Sequence, residues 1–366
     1  MIALGNPTEA VNPAVLHTPG GFVWWYVDVI TPDGDGLVLI WSYGLPFLPG
    51  YADAARQGRP VPPIERPSVN LALYRGGREQ MYLLQEYPPA PYTGSDVQVI
   101  GGCRFERSTE GGRCLLEVRL DCPVPGSKQR LTGSLRLEGA HPDPGIAHAA
   151  SGDSHVWTPL AAPATATARL RLGGRPVADL QGRAYHDRNT GMRPLHELGF
   201  RRWMWGRFPF GDAERVYYLL WPPNGGTPRC LGLTLYPDGS TREAPELVAQ
   251  LGGERRSLFG LQRPRGLRLV QHNGQFWMDV QHTACVDAGP FYLRFQSEAT
   301  LPGGERVLGW GELCEPHRVD RRLHRPLVRM RVHRPGGSNS LWLPLFNGPR
   351  GDRLARLMRH AFAPSG

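Results

Sequence analysis

Apolar and polar positions alternate with a period of two over much of the chain, and turn-forming clusters break the alternation every ~8–12 residues. Gly20-Gly21 opens Phe22-Val23-Trp24-Trp25-Tyr26-Val27-Asp28-Val29-Ile30, a run of β-branched and aromatic side chains suited to a pleated surface. Thr31-Pro32-Asp33-Gly34-Asp35-Gly36 is a turn cluster, and Leu37 to Tyr43 reads as the return strand of a hairpin. Strands are predicted next at 68–74, 79–86, 97–106, 112–120 and 130–138. Ala164 to Leu172 forms another, with Ala166, Ala168, Leu170 and Leu172 on one side and Arg169 and Arg171 on the other. After residue 202 the rhythm restarts, with strands predicted at 203–209, 215–221, 230–236, 267–272, 276–282, 291–299, 306–313, 326–333 and 340–345.

Residues 1–18 read as a loose lead-in and 139–156 as a polar loop. Residues 44–66 are a long Pro/Gly-rich connection, with a helical turn or two at Tyr51-Ala52-Asp53-Ala54-Ala55-Arg56. A connection of that length is more often functional than filler. From Arg350 to Phe362, Leu354, Leu357, Met358 and Ala361 recur at helical spacing, which predicts a short amphipathic helix. Its ordinary role is docking on a barrel, and the alternative is a peripheral membrane contact.

The pattern therefore predicts an all-β protein with two domains, 1–195 and 196–366, each a barrel or sandwich, and a short C-terminal helix. The first carries most of the site motifs. The high content of Gly (46) and Pro (36) fits many short strands joined by turns better than it fits helices. The net charge of +9 comes from scattered arginines, which argues for a solvated surface and against a nucleic-acid partner. Cys103, Cys114, Cys122, Cys230, Cys285 and Cys314 show no CxxC spacing, and Met1 to Pro13 lacks the features of a secretory signal. Reduced thiols and a cytoplasmic location follow as expectations, with membrane association as the variant if the substrate is a lipid. No apolar run reaches the ~18 residues of a membrane span. Nucleotide-binding glycine patterns and the Gly-x-Ser-x-Gly elbow are absent. His141, His148 and His155 share a loop without the spacing of a metal site, so neither metal nor cofactor is expected.

The densest chemistry lies mid-chain, in Gly182-Arg183-Ala184-Tyr185-His186-Asp187-Arg188-Asn189-Thr190-Gly191 and Arg202-Trp203-Met204-Trp205-Gly206-Arg207. On a strand, Tyr185 and Asp187 share a face and His186 points the other way. Asp187 is then either a turn residue, as Asp and Asn often are, or an acid. Arg207 either pairs with Asp187 or Asp28, or covers the surface. An arginine beside Asp187 would hold it ionised and argue against an acid role. Trp203 and Trp205 share a side, as barrel interior or pocket wall. Trp24-Trp25-Tyr26 divides between core and pocket.

Five blocks then occur in a fixed order: Gly21-Phe22-Val23-Trp24-Trp25-Tyr26-Val27-Asp28, Asn70-Leu71-Ala72-Leu73-Tyr74, His155-Val156-Trp157-Thr158-Pro159, Tyr185-His186-Asp187-Arg188-Asn189-Thr190-Gly191 and Trp203-Met204-Trp205-Gly206-Arg207. In that order they resemble the carotenoid 1,2-hydratase (hydroxyneurosporene synthase) family. That family lies within a wider group of lipocalin-like two-domain β proteins that includes fungal Diels–Alder cyclases making decalin rings. The resemblance covers the first ~210 residues, and beyond them only the strand rhythm matches. It implies a cofactor-free addition of water across a terminal isoprenoid double bond, with Asp187 as proton donor and Tyr185, His155 and Trp157 as the other active-site residues. Trp24, Tyr26, Tyr51, Trp203, Trp205 and Arg207 are the expected substrate-binding residues, and the partner is a hydrophobic isoprenoid or polyene. After Asp187 the hydratases usually carry Ser or Thr, Asn, an acidic residue or His, then Gly. Arg188-Asn189-Thr190-Gly191 departs from this and is nearer the wider group, including the cyclases. Gly50 stands where the hydratase loop has an aromatic, which would open space in a pocket it faced.

The physical chemistry runs parallel to the resemblance. An alkene is a weak base, so its protonation needs a strong, dry acid aimed at one carbon. An apolar pocket keeps a carboxyl protonated near neutral pH by disfavouring the anion. An indole face stabilises the resulting tertiary cation by ~2 kcal/mol or more when desolvated, and Trp157, Trp203 and Trp205 are the candidates. Three readings stand: acid-initiated hydration or cyclisation of an isoprenoid alkene, a pericyclase in which Tyr185 or His155 polarises a carbonyl, and a non-catalytic lipocalin-like lipid binder.

Overall fold

The computed structural model describes residues 2–59, 61–143, 145, 147–148, 154–244 and 246–361. Among them, two curled sheets account for nearly all regular structure. The first holds β1 (Ile2–Leu4), β2 (Phe22–Ile30), β3 (Gly36–Tyr43), β4 (Pro67–Arg75), β5 (Arg78–Glu86), β6 (Val97–Ile100), β7 (Cys103–Glu110), β8 (Arg113–Pro123), β9 (Arg130–Ala140), β10 (His155–Leu172) and β11 (Arg175–Gly191). The second holds β12 (Arg202–Phe210), β13 (Ala213–Trp221), β14 (Arg229–Leu235), β15 (Thr241–Ala244), β16 (Leu247–Arg256), β17 (Gln262–Gln271), β18 (Phe276–Ala288), β19 (Tyr292–Thr300) and β20 (Arg306–Cys314). A last short strand, β21 (Gly348–Pro349), returns to the first sheet beside β5.

Both sheets are antiparallel meanders folded back on themselves. In the first, β2 closes against β11, and in the second β12 closes against β20. The exception in direction is β1, which lies parallel to β10 with Ile2 opposite His155 and Leu4 opposite Trp157. Each sheet curls as half of a barrel around its own apolar core. Trp25, Trp41, Phe105 and Leu137 belong to the first core, and Met204, Phe208, Leu269 and Phe295 to the second. A third apolar layer lies between the sheets and contains Trp24, Tyr26, Trp157, Tyr185, Trp203, Trp205, Tyr218 and Trp310.

This arrangement explains the composition of β2, which is buried along its whole length. Val23, Trp25, Val27 and Val29 enter the first core, while Phe22, Trp24, Tyr26 and Ile30 face the second sheet. A strand covered on both sides reads as a near-continuous apolar run. The β2–β3 turn is the predicted hairpin. Gly34 sits there at φ 82°, where a side chain would be strained, and its carbonyl accepts a 2.9 Å hydrogen bond from Gln296 Nε2 of the second sheet.

Several sequence expectations are corrected. Residues 97–106 are two strands turned at Gly101-Gly102, where Gly101 has φ 59°. The lead-in contains β1 and a helical turn at Ala14–His17. Strands β15 and β16 were not foreseen: the outer half of β16 is exposed at the sheet edge, so no buried face imposes an apolar period on it. Residues 326–333 and 340–345 do not form strands. Arg325–Arg329 and Leu343–Phe346 are helical turns, with Pro326 and Pro344 at their starts, where proline's missing N–H costs nothing. Of the polar loop at 139–156, residues 144, 146 and 149–153 lie outside the described residues, as does Phe362 of the tail.

The tail helix, Arg353–Ala361, docks with an unexpected side. Leu354 (72%) and Met358 (56%) are exposed, whereas Arg356 is buried and donates to the carbonyls of Pro125, Asn347 and Pro349. A guanidinium that finds several backbone acceptors docks better here than the apolar stripe would.

Candidate active site

Asp187 is an interior residue of a long strand. β10 and β11 form a hairpin of 18 and 17 residues turned at Gly173-Gly174, and Asp187 lies opposite Pro159 on one side and Tyr26 of β2 on the other. The turn reading of Asp-Arg-Asn-Thr is therefore overturned. Asp187, Arg188 and Asn189 occupy a strand because each finds a partner: Arg188, for example, donates to the backbone carbonyl of Glu9 at 2.8 Å.

Period-two geometry sends Tyr185, Asp187 and Asn189 of β11 to the face between the sheets, where His155 and Trp157 of β10 also point. The Trp157 indole N–H donates to Asp187 Oδ2 at 2.8 Å and to the Tyr185 hydroxyl at 3.1 Å. Asn189 Nδ2 donates to Asp187 Oδ1 at 2.8 Å. The Asn189 Oδ1 in turn accepts from His155 Nε2 at 2.8 Å, which fixes the neutral Nε2–H form of that ring. The order is His155, Asn189, Asp187, Trp157, Tyr185. His186 points into the first core, where its Nδ1–H donates to the Tyr26 carbonyl at 2.9 Å and its ring meets Phe105 edge-on at 5.7 Å.

Asp187 is 2% exposed, and among the described residues it makes no ion pair. Burial pushes its carboxyl up to about 8, against the lowering pull of the Trp157 and Tyr185 hydrogen bonds. Burial also holds His155 down to about 4, so the ring is neutral at pH 7. His155 stands within a shell of rings, with Trp24 at 5.4 Å, Phe22 at 5.9 Å, Phe200 at 6.2 Å, and Trp203 and Tyr218 at 6.3 Å.

A cavity between the two sheets opens onto Asp187. Trp24, Tyr26, Phe47, Trp203, Trp205, Tyr218 and Phe291 supply aromatic wall, and Asn189, Arg294, Glu312, Asp287 and Arg331 supply polar points. Of the residues expected to bind substrate, Trp24, Tyr26, Trp203 and Trp205 line it. Tyr51 and Arg207 do not. The Tyr51 hydroxyl donates to the Gly21 carbonyl at 2.6 Å. Arg207 is fully buried, with Nε donating to Asp28 Oδ2 at 3.2 Å, Nη2 to Asp28 Oδ1, and Nη1 to Glu214 at 3.3 Å. Trp157, Tyr185 and His155 hold Asp187 from outside the cavity wall, so the indole faces available to a bound molecule are those of Trp24, Trp203 and Trp205. Asn189, Tyr218, Glu312 and Arg294 were missed as site residues. Asn189 shares the parity of Asp187, and Glu312 that of Trp310 on β20, signals that needed the strand assignment first. Among the described residues there is no group of three or more His, Cys, Asp or Glu side chains that could hold a metal ion.

Two half-barrels enclosing an apolar cavity with one buried, unpaired carboxyl define a lipocalin-like β-sheet enzyme. The sequence model of the carotenoid hydratase family CrtC matches residues 43–340, well into the second sheet, and the chain belongs to that family. It is 27% identical over 380 residues to a protein of Chlorobaculum tepidum named hydroxyneurosporene dehydrogenase, covering 95% of this chain and 96% of that one. It is 28% identical over 242 residues to the acyclic carotenoid 1,2-hydratase of Thiocapsa roseopersicina, covering 66% of this chain and 57% of that hydratase. Among solved structures, a protein of Nitrosomonas europaea assigned as AttH has the same fold, with a TM-score of 0.58 at 16% identity over 86% of this chain and 99% of that one. No described helix is long and apolar enough to cross a membrane.

Proposed function

We propose that the protein adds water across a terminal double bond of an acyclic, carotenoid-type isoprenoid, without a cofactor, and that Asp187 is the acid that starts the reaction. The observation that carries this reading is the Asp187 carboxyl itself: it is buried at the cavity wall, held by neutral donors only, and raised to about 8, so it keeps its proton at pH 7. Trp157, Tyr185 and the His155–Asn189 pair orient it. Asp187 delivers its proton to the terminal alkene carbon, and a tertiary cation forms beside it. The faces of Trp24, Trp203 and Trp205 stabilise that cation in the absence of bulk water. Exposed Leu354, Met358 and Trp342 support a peripheral contact with lipid, where such a substrate resides.

The test is hydration of lycopene in lecithin vesicles. Asp187→Asn keeps the shape but has no acidic proton to give, and its single amide oxygen can accept from only one of the two N–H donors, Trp157 and Asn189, that meet the carboxyl oxygens. We expect substrate to bind and product formation to fall by ~100- to 10,000-fold, the range for loss of a general acid. Wild-type turnover in Asp187→Asn would remove the acid assignment. In heavy water, deuterium on the product carbon marks proton transfer to the alkene, and its absence would favour a pericyclic reaction.

A further inference from the structure

The cavity has a second polar end, on the opposite sheet from Asp187. Arg294 of β19 and Glu312 of β20 face each other across the strand pair, and Arg294 Nε and Nη2 both donate to Glu312 Oε1, at 3.1 and 2.7 Å. The other carboxylate oxygen, Oε2, lies outside that pair. The guanidinium is itself fixed. Nη1 donates to the Tyr74 hydroxyl at 3.1 Å, and the rings of Tyr292, Tyr26 and Tyr74 stand 5.5, 5.8 and 5.9 Å from it. Arg294 is 2% exposed. A buried ion pair adds little net stability, because desolvation offsets the Coulomb attraction. Stability alone therefore does not account for such a pair in the wall of an apolar cavity.

Trp205 links the two ends. It lies opposite Glu312 in the β12–β20 register, and its ring packs on Tyr185 at 5.7 Å, next to the Asp187 cluster. The residue is 3% exposed, it lines the cavity, and its indole N–H has no hydrogen-bond partner among the described residues. The Glu312 charge also reaches Asp187, where it adds to the upward push on that carboxyl. The cavity thus holds the protonated Asp187 carboxyl and, away from it, the ion-paired carboxylates Glu312 and Asp287, and of these two it is Glu312 that lies opposite Trp205, with its unused N–H donor, in the strand register.

We propose that Glu312 is the general base of the hydration, with Oε2 and the Trp205 N–H holding the attacking water and Arg294 as a positioning residue. This rests on the hydratase reading above. The alkene π pair forms the new C–H bond with the Asp187 proton, leaving a tertiary cation and the Asp187 carboxylate. A lone pair of the water forms the C–O bond, and the water's proton passes to Glu312 Oε2. The net change is alkene plus water to tertiary alcohol. The two carboxyls then reset by moving one proton from Glu312 to Asp187 through solvent.

The experiment compares wild type, Glu312→Gln and Asp187→Asn on lycopene in lecithin vesicles made in heavy water. It reads both the alcohol formed and the deuterium in recovered lycopene. Glu312→Gln should lose alcohol formation by ~100-fold or more, while deuterium exchange into the terminal groups stays within ~3-fold of wild type, because protonation continues without capture. Asp187→Asn should lose both. Trp205→Phe should lower kcat by ~10-fold, with KM little changed, since the ring remains and one hydrogen bond is lost. Alcohol formation by Glu312→Gln within ~3-fold of wild type, or equal loss of exchange and alcohol, overturns the base assignment. If Asp187→Asn still hydrates, the acid assignment fails on its own, and the ratio of exchange to capture in Glu312→Gln still reads the base. A crystal structure of the wild type decides independently of turnover: an ordered water between Glu312 Oε2 and Trp205 Nε1 is expected, and protein atoms filling that place overturn the proposal.

Discussion

Asp28 and Asp187 lie on adjacent strands of the same interface, 0% and 2% exposed, with Asp28 opposite Tyr185 and Asp187 opposite Tyr26. Burial raises both carboxyls. The difference is one guanidinium. At Asp28, Arg207 pulls against burial and ties β2 to β12 and Glu214 of β13. At Asp187 the partners are an indole, an amide and a phenol, all neutral. Equal burial thus yields a structural ion pair at one position and a protonated acid at the other, because a hydrogen bond from a neutral group offsets much less of the desolvation cost than a full opposite charge does.

The largest effect that tests this contrast is the loss of activity in Asp187→Asn, and the same variant carries an opposite effect on stability. A carboxyl at about 8 in the folded protein and near its ordinary value when unfolded binds more protons folded than unfolded between about pH 4 and 8. The contribution of Asp187 to folded stability should therefore fall as pH rises through that window. Asp187→Asn, which has nothing to ionise, should gain in melting temperature relative to wild type as pH rises from 4 to 8. A melting difference that does not grow with pH breaks the contrast. Wild-type kcat should also fall as pH rises through about 8, as the acid loses its proton.

Arg207→Met should be next. It leaves Asp28 and Glu214 buried without their cation, a change that typically costs about 3–5 kcal/mol. The urea midpoint should drop accordingly, and an unchanged midpoint would mean the ion pair holds nothing. A smaller effect is expected for Asn189→Ala, which removes one neutral donor from Asp187 and the partner of His155, at about 1–3 kcal/mol. That should appear as a drop in kcat of ~10-fold, with less change in KM. The smallest is Arg268→Ala, which breaks the exposed pair with Asp279 and should move stability by under ~1 kcal/mol. If it equals Arg207→Met, burial is not what separates the pairs.

At acid pH a different set of groups dominates. Burial holds His155 down to about 4 and His186 to about 3, each neutral in the folded protein. Their contribution is fully present above the ordinary histidine value and is lost as pH falls toward those lower values, so acid unfolding should begin below about pH 6.

Much of this was legible in the strand period. The hairpin from Phe22 to Tyr43, the shared face of Tyr185 and Asp187, and the opposite orientation of His186 all follow from alternation. So do the inward-facing Trp203 and Trp205. The short proline-headed helical turns near 325 and 343 were not legible as such, because a few apolar residues in a row carry no period of their own. Glu312 and Arg294 were not legible either. A charged pair on alternating strands looks like a solvated face until a second sheet covers it.

The resemblance to the hydratases supplied the candidate set Asp187, Tyr185, His155 and Trp157. The sequence by itself determined the all-β class, most strand positions and the face on which each side chain lies. Those are local properties, set by the two-residue repeat and by turn chemistry. Only the tertiary structure decided which faces meet. Arg207 finds Asp28 across 179 positions, and not Asp187, so the acid is left with neutral partners. Glu312 shares a cavity with that acid only because two independently curled sheets press their outer faces together. Alternation assigns each residue to a face, but it contains no information about the distance between faces that are far apart in the chain, and that distance sets the charge state of a buried carboxyl.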